Sequence, residues 1–249
     1  MGARQWMQIC SFAAAAVLLA GCASGASGAA FAGGPPKVAV YRYRETVSSS
    51  NIGSHTTTEL NMWSALPAAS GERSRLRLTL ASGASSPVLT FDYGWTADGM
   101  HLVGRGVTPP SDVKLAKGPT SLECDLSASP LELPFPLKVG QTWHYSYKCP
   151  TSDGALDEVT GHATATGTKV EHVGGKKIAT VTIKVIESTV ERQSYAIVHF
   201  EDTIVRQVDP ARSLTVVEDT DERISTKELR PGHSNAPSEY RVHRQLLTA

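Results

Sequence analysis

Little in this chain speaks of chemistry. Its 249 residues include only four cysteines, five phenylalanines and four tryptophans. No Cys-x-x-Cys pair occurs, and none of the histidines has another at i+2 or i+4, the spacings with which zinc is commonly held. A Gly-x-Ser-x-Gly elbow is missing, as are a phosphate-cradling glycine loop and a dinucleotide fingerprint. Ser111-Asp112-Val113-Lys114 spells Ser-x-x-Lys, but Pro109-Pro110 and Gly118-Pro119 surround it and its companion elements are absent. Neither sign of charge dominates, with 24 basic against 24 acidic side chains. That balance excludes the basic face of a nucleic-acid binder and a polybasic membrane patch. No apolar run reaches the roughly twenty residues of a spanning helix. The expectation is no catalytic set, no metal and no cofactor.

What is present begins at the N-terminus. Arg4 supplies a positive charge, Phe12 to Ala20 form a short apolar run, and Leu19-Ala20-Gly21-Cys22 follow. The pattern is that of a targeting segment rather than of structure. The four residues resemble the lipobox of bacterial lipoproteins: an aliphatic residue, two small residues and the cysteine. The resemblance implies cleavage before Cys22, so residues 1–21 are a signal peptide, and a diacylglyceryl group on the Cys22 sulfur. Two acyl chains give stable anchoring where one would give only reversible binding. The expected location is the outer face of the cell membrane or another envelope membrane. Residues 22–36, rich in Gly, Ala, Ser and Pro, read as a flexible tether.

The body, 37–249, reads as strands almost throughout. Leu76, Leu78 and Leu80 alternate with Arg75, Arg77 and Thr79, the period-two signature of a half-buried strand. Val38–Thr46, Thr56–Leu66, Val88–Trp95 and Met100–Val107 are further strands, with Asp98-Gly99 as a hairpin turn. Longer strands follow. Leu156–Val170, a strand with Ala179, Val181, Ile183 and Val185 on one face, Tyr195–Gln207 and Leu214–Thr226 form a meander of about twelve to fifteen residues each, against a usual five or six. Val159, Gly161, Ala163, Ala165 and Gly167 share one face, where small side chains permit bending and close approach. Tyr195–Val205 is apolar on both faces and so needs cover on both. The fold class is all-β, an antiparallel meander with a curved sheet, half-barrel or sandwich-like, and few or no helices. It forms one domain, or two halves at 37–129 and 137–249.

Cys10 leaves with the signal and Cys22 takes the lipid, so Cys124 and Cys149 remain. An even pair in an exported chain reads as a disulfide, closing a loop over the proline-rich stretch Pro130–Pro136. Phe91, Tyr93 and Trp95 fall on one strand face and are the candidate ligand-facing surface. The acidic run Glu218–Glu222 lacks the glycine and spacing of a calcium loop and reads as a solvated edge that discourages aggregation. His199 and Glu201 share a face, the pattern of a hydrogen-bonded histidine.

A long strand meander on a lipid tether resembles the half-barrel lipid and lipoprotein carriers of bacterial envelopes. Pro134 to Tyr145 is similar to a segment of uncharacterised exported bacterial β-proteins, where it leads into a strand opening a β domain. The resemblance implies an anchored, non-enzymatic binding protein for an apolar or lipidic ligand. Two alternatives stand beside it: a structural or protein-interaction module of the envelope, and an enzyme whose residues gather from distant strands.

Overall fold

The computed structural model describes residues 30–49, 53–67, 75–81, 88–108, 124, 126, 129–150, 156–192, 196–228 and 237–248. Residues 1–21, expected as a signal peptide, together with Cys22, the first part of the expected tether and Ser111 to Lys114, lie outside them. Twelve strands and no helix are present among the described residues: β1 (Ala39–Ser49), β2 (Gly53–Pro67), β3 (Arg75–Ala81), β4 (Val88–Trp95), β5 (Gly99–Thr108), β6 (Leu131–Pro134), β7 (Thr142–Pro150), β8 (Leu156–Val173), β9 (Lys176–Arg192), β10 (Ala196–Asp209), β11 (Leu214–Glu228) and β12 (Ser238–Thr248). They form one antiparallel sheet in the order β6-β5-β4-β3-β2-β1-β12-β11-β10-β9-β8-β7. The curvature expected from the small residues goes beyond a half-barrel, and the sheet is nearly closed.

The unusual feature is where the ring opens. In an up-and-down barrel the first and last strands are the natural place for a seam. Here β1 and β12 pair over eight positions, from Arg42 opposite Thr248 to Ser49 opposite Tyr240. The two ends of the sheet are instead the consecutive strands β6 and β7. Sequence gives the cause. Pro130, Pro134 and Pro136 have no N–H to donate to a ladder. β6 is accordingly only four residues long and meets β5 at three positions. The Cys124–Cys149 disulfide forms as expected, closing a separation of 25 residues. It ties the chain leading into β6 to β7, across the seam.

The second-half meander is longer than the sequence suggests, with β8 to β11 spanning 18, 17, 14 and 15 residues. The tip of the β8–β9 hairpin buries Val173 and Ile178 with Tyr41, Leu214, Val216 and Leu246. Near that tip β9 is covered on both sides: Ile178 and Thr180 are buried on one face and Val181, Ile183 and Val185 on the other, while Ala179 is exposed. The acidic run also needs correction. It lies on β11, an interior strand between β10 and β12 rather than an edge. Three of its four acids have cross-strand partners: Asp219 meets His243 and Asp221 meets Arg241 on β12, and Glu218 turns inward to Arg206 and Arg244.

Residues 31–36, grouped with the tether by composition, lie against the sheet, as does Lys37 after them. Phe31 exchanges backbone hydrogen bonds with Leu137 at 2.9 and 3.0 Å. The Ser213 hydroxyl donates to the Gly34 carbonyl at 2.8 Å, and Tyr41 donates to the Lys37 carbonyl at 2.7 Å. The strap thus joins the β6–β7 connection to the β10–β11 turn before entering β1.

The run of small residues on β8 has a specific occupant. Gly161 lies opposite Tyr145, and a Cβ at this position would sit 2.1 Å from the Tyr145 ring. Only glycine leaves room for the phenol to lie flat across the strand. Gly161→Ala should therefore displace Tyr145 and cost about 1–3 kcal/mol, the usual penalty of overpacking. Urea denaturation checks this; an unchanged midpoint would mean that the ring adjusts freely.

Candidate functional site

The barrel interior is built in cross-strand rows, because inward side chains on paired strands line up in register. One row runs Ala165, Ile183, Arg206, Glu218, Arg244, Glu45 across β8, β9, β10, β11, β12 and β1. Its last four members alternate in charge and are bonded in sequence. Arg206 Nε donates to Glu218 at 2.9 Å, Arg244 Nη1 to Glu218 at 2.7 Å, and Arg244 Nη2 to Glu45 at 2.7 Å. Burial works against the Arg206 charge, but the acidic groups around it, Glu218 foremost with Tyr145, Glu132 and Tyr93, together more than offset it, so the guanidinium is held protonated. The next inward row is apolar: Trp143, Ala163, Val185, Ile204. Beyond it lie Tyr145, Gly161, Glu187, Asp202 and Glu222. Tyr145 donates to Glu187 at 2.5 Å.

Between these rows and the opposite wall lies a cavity of about 300 Å³. Leu78, Leu89, Phe91, Met100, Leu102 and Leu133 supply its apolar wall from the first half of the chain, with Ile183 and Val185 facing them from the second. The volume is at the lower end of the roughly 300–1,000 Å³ typical of small-molecule sites. The candidate aromatic row divides. Phe91 and Tyr93 line the cavity, and burial pushes the Tyr93 hydroxyl well up. Trp95 is not part of the lining; its indole N–H donates to the Ser213 hydroxyl at 3.2 Å, on the side of the strap.

Several lining residues carry charge, which the sequence reading did not foresee. Arg105 stands over the Phe91 ring at 5.8 Å and donates from Nη1 to the Tyr147 hydroxyl at 3.2 Å. Its Nε is buried without a partner. Glu132, on β6, has no hydrogen bond or ion pair among the described residues, and desolvation pushes its carboxyl up to about 7 against a partial opposing pull from Arg206. Arg105 owes its inward direction to a bulge. Tyr93 pairs with Leu102 while Asp92 pairs with Gly104, so the register skips Val103. A bulge of this kind re-aims the side chains that follow it. It puts Leu102 and Arg105 on the same face, although simple alternation puts them on opposite ones. A readable signal did exist for Arg206 and Glu187: each continues an apolar inward stripe, Ile204-Arg206-Val208 and Val181-Ile183-Val185-Glu187.

Three interior carboxyls are held above their ordinary range by burial: Glu132 and Asp202, each to about 7, and Glu222 in the same direction. Their folded-state values exceed the unfolded ones, so between about pH 4 and 7 the native state binds more protons than the unfolded chain. Stability must then fall as pH rises through that window. From Glu132 alone the loss between about pH 5.5 and 8 is on the order of 2 kcal/mol. Thermal melts should show a higher Tm at the lower pH, with a flatter slope in Glu132→Gln. A Tm that rises towards pH 8 would contradict this arrangement.

Among the described residues no group of three or more His, Cys, Asp or Glu side chains is placed to hold a metal. His199 and Glu201 remain apart from the cavity lining. No family model matches the chain, and no curated protein or solved structure matches it.

Proposed function

We propose that this protein is an envelope carrier or binding protein that holds a small, largely apolar ligand inside its barrel and is anchored by a lipid on Cys22. The observation that carries the reading is the interior cavity of about 300 Å³, walled by leucines and aromatics from both halves of the sheet. A barrel evolved only for stability would fill that space with side chains, since protein interiors pack to the density of organic crystals. The lipobox-like Leu19-Ala20-Gly21-Cys22 supplies the address.

The test is binding of the neutral fluorophore N-phenyl-1-naphthylamine to the full-length chain, together with native mass spectrometry for copurifying molecules. Saturable binding, weakened about tenfold by Leu89→Trp, is the expected result, because the indole would occupy the apolar wall. No probe binding and no copurifying ligand would overturn the carrier reading. Membrane association of Cys22→Ala tests the anchor separately: the substituted chain should be released, and retention would refute lipidation.

A docking role has one observation in its favour. Val38 just before β1, Val40 on β1 and Leu66 on the paired β2 are each at least half exposed, at 57%, 55% and 50%. Exposed apolar clusters mark contact surfaces. Crosslinking at Val40 that captures one stoichiometric envelope protein would favour this second reading.

A further inference from the structure

The carrier reading leaves open what kind of ligand the cavity takes, and its charges narrow the answer. The four-membered ladder Arg206, Glu218, Arg244, Glu45 is internally paired. Glu187 receives the Tyr145 hydroxyl. What is left over on the lining is Arg105 and Glu132. Arg105 has no carboxylate within salt-bridge distance among the described residues; its polar contact there is the neutral Tyr147 hydroxyl, and Nε is buried and unbonded. A buried guanidinium donor without an acceptor costs more than an ordinary lost hydrogen bond, because the group is charged. Phe91 offsets some of this through its ring face. Among the described residues no further acceptor meets the Arg105 guanidinium.

We infer that the cavity takes a monocarboxylic acid with an unbranched apolar body, its carboxylate held by the Arg105 guanidinium and the Tyr147 hydroxyl and its chain lying along Leu78, Leu89 and Leu102. The inference rests on the carrier reading and deepens it. A carboxylate matches one unpaired guanidinium in charge and in planar fork geometry. A phosphate monoester would bring up to two negative charges and three acceptor oxygens, for which no second unpaired cation lines the cavity among the described residues. The volume of about 300 Å³ is also too small for a two-chain lipid and suits a medium-length chain.

Position supports the same assignment. Arg105 is on β5 and Tyr147 on β7, so their hydrogen bond crosses the seam where the ladder is interrupted. A head group placed there lies at the wall, with the chain directed inward. Glu132 lies on β6 between those two strands. Its carboxyl is the internal competitor for Arg105: when ionised it faces the guanidinium in the ligand's absence, and when protonated it leaves the guanidinium to the ligand. Its raised titration point, caused first by desolvation, is in keeping with that competition.

The test compares decanoate, decanol and decylamine as probes of the full-length chain by isothermal titration calorimetry near pH 6.5. Decanoate should bind about tenfold or more tightly than decanol, and decylamine more weakly than either. Arg105→Met should cost decanoate about tenfold or more while leaving decanol within about twofold. Glu132→Gln should leave decanoate binding intact or tighter and remove its weakening above about pH 7. Should Arg105→Met fail to fold, a measurement on the unaltered protein serves: the carboxyl of bound [1-13C]decanoate should titrate below the free acid. Titration above the free acid would mean a carboxyl buried without a cation and would overturn the inference. Equal binding of decanoate and decanol would overturn the carboxylate assignment while leaving the carrier reading standing. Failure of all three probes to bind would overturn both.

Discussion

Removal of the Cys124–Cys149 bridge is expected to lower the unfolding free energy by about 3 kcal/mol, the chain-entropy value for a loop of 25 residues. For a chain of this size that corresponds to a fall of about 6–12 °C in Tm. The effect should exceed the general rule in one respect. Elsewhere in the sheet a ladder of backbone hydrogen bonds keeps neighbouring strands together, but between β6 and β7 no such ladder exists. The disulfide, the Arg105–Tyr147 hydrogen bond and the Phe31–Leu137 bridge are the ties near that boundary. Cutting the strongest of them should loosen the barrel wall as well as the unfolded-state constraint. The measurement is a thermal melt of Cys124→Ser/Cys149→Ser beside the oxidised parent, with hydrogen exchange read on β7. A Tm within about 2 °C of the parent, or unchanged protection on β7, would show that the seam is held by other means.

The second large effect is expected at Arg244. Its guanidinium joins Glu218 on β11 to Glu45 on β1, with side-chain exposures of only 18%, 14% and 16% for Arg244, Glu218 and Glu45. Arg244→Met keeps much of the stem volume but takes the shared cation from Glu45 and Glu218 in a poorly solvated interior, where Glu218 still has Arg206. Breaking a buried ion pair in this way costs about 3–5 kcal/mol, most of it the charge left uncompensated. The loss should also fall at a particular place, because the β1–β12–β11 rows are what close the two chain halves into one sheet. Combining Arg244→Met with Glu45→Gln, while Glu218 stays paired with Arg206, should restore much of the stability, since the β1 carboxylate that lost this cation is then neutral. Chemical denaturation of the single and double variants decides the matter. A double variant no more stable than the single would assign the loss to packing rather than to charge.

Much of the fold was legible because strand patterning is local. Leu76 and Leu78, or Val181, Ile183 and Val185, reveal an inward face by alternation alone. The glycines and alanines of β8 pointed to close approach, and Gly161 beneath the Tyr145 ring supplies it. The site was much less legible. Its charged members come from seven strands, and their meeting depends on register, which no single strand encodes. Arg105 was hidden for a sharper reason: the bulge at Val103 reverses the alternation on which the reading relied. β12 escaped notice because its Glu, Arg, His and Gln residues show no apolar stripe. Its inward face holds Arg244, and its burial is made possible by acids on β1 and β11.

By itself the sequence determined an all-β meander, the Cys124–Cys149 pairing and a stretch poor in ladder hydrogen bonds at Pro130 to Pro136, where the structure holds only the four-residue β6. Each of these follows from local chemistry: alternation, cysteine arithmetic and the missing N–H of proline. Only the tertiary structure decided that the ring closes between β1 and β12 and opens between β6 and β7. It alone brought Arg105, Glu132 and Tyr147 to the lining of one cavity. Those choices depend on pairing between residues far apart in the chain, where the free energy of a contact belongs to both partners and is written in neither.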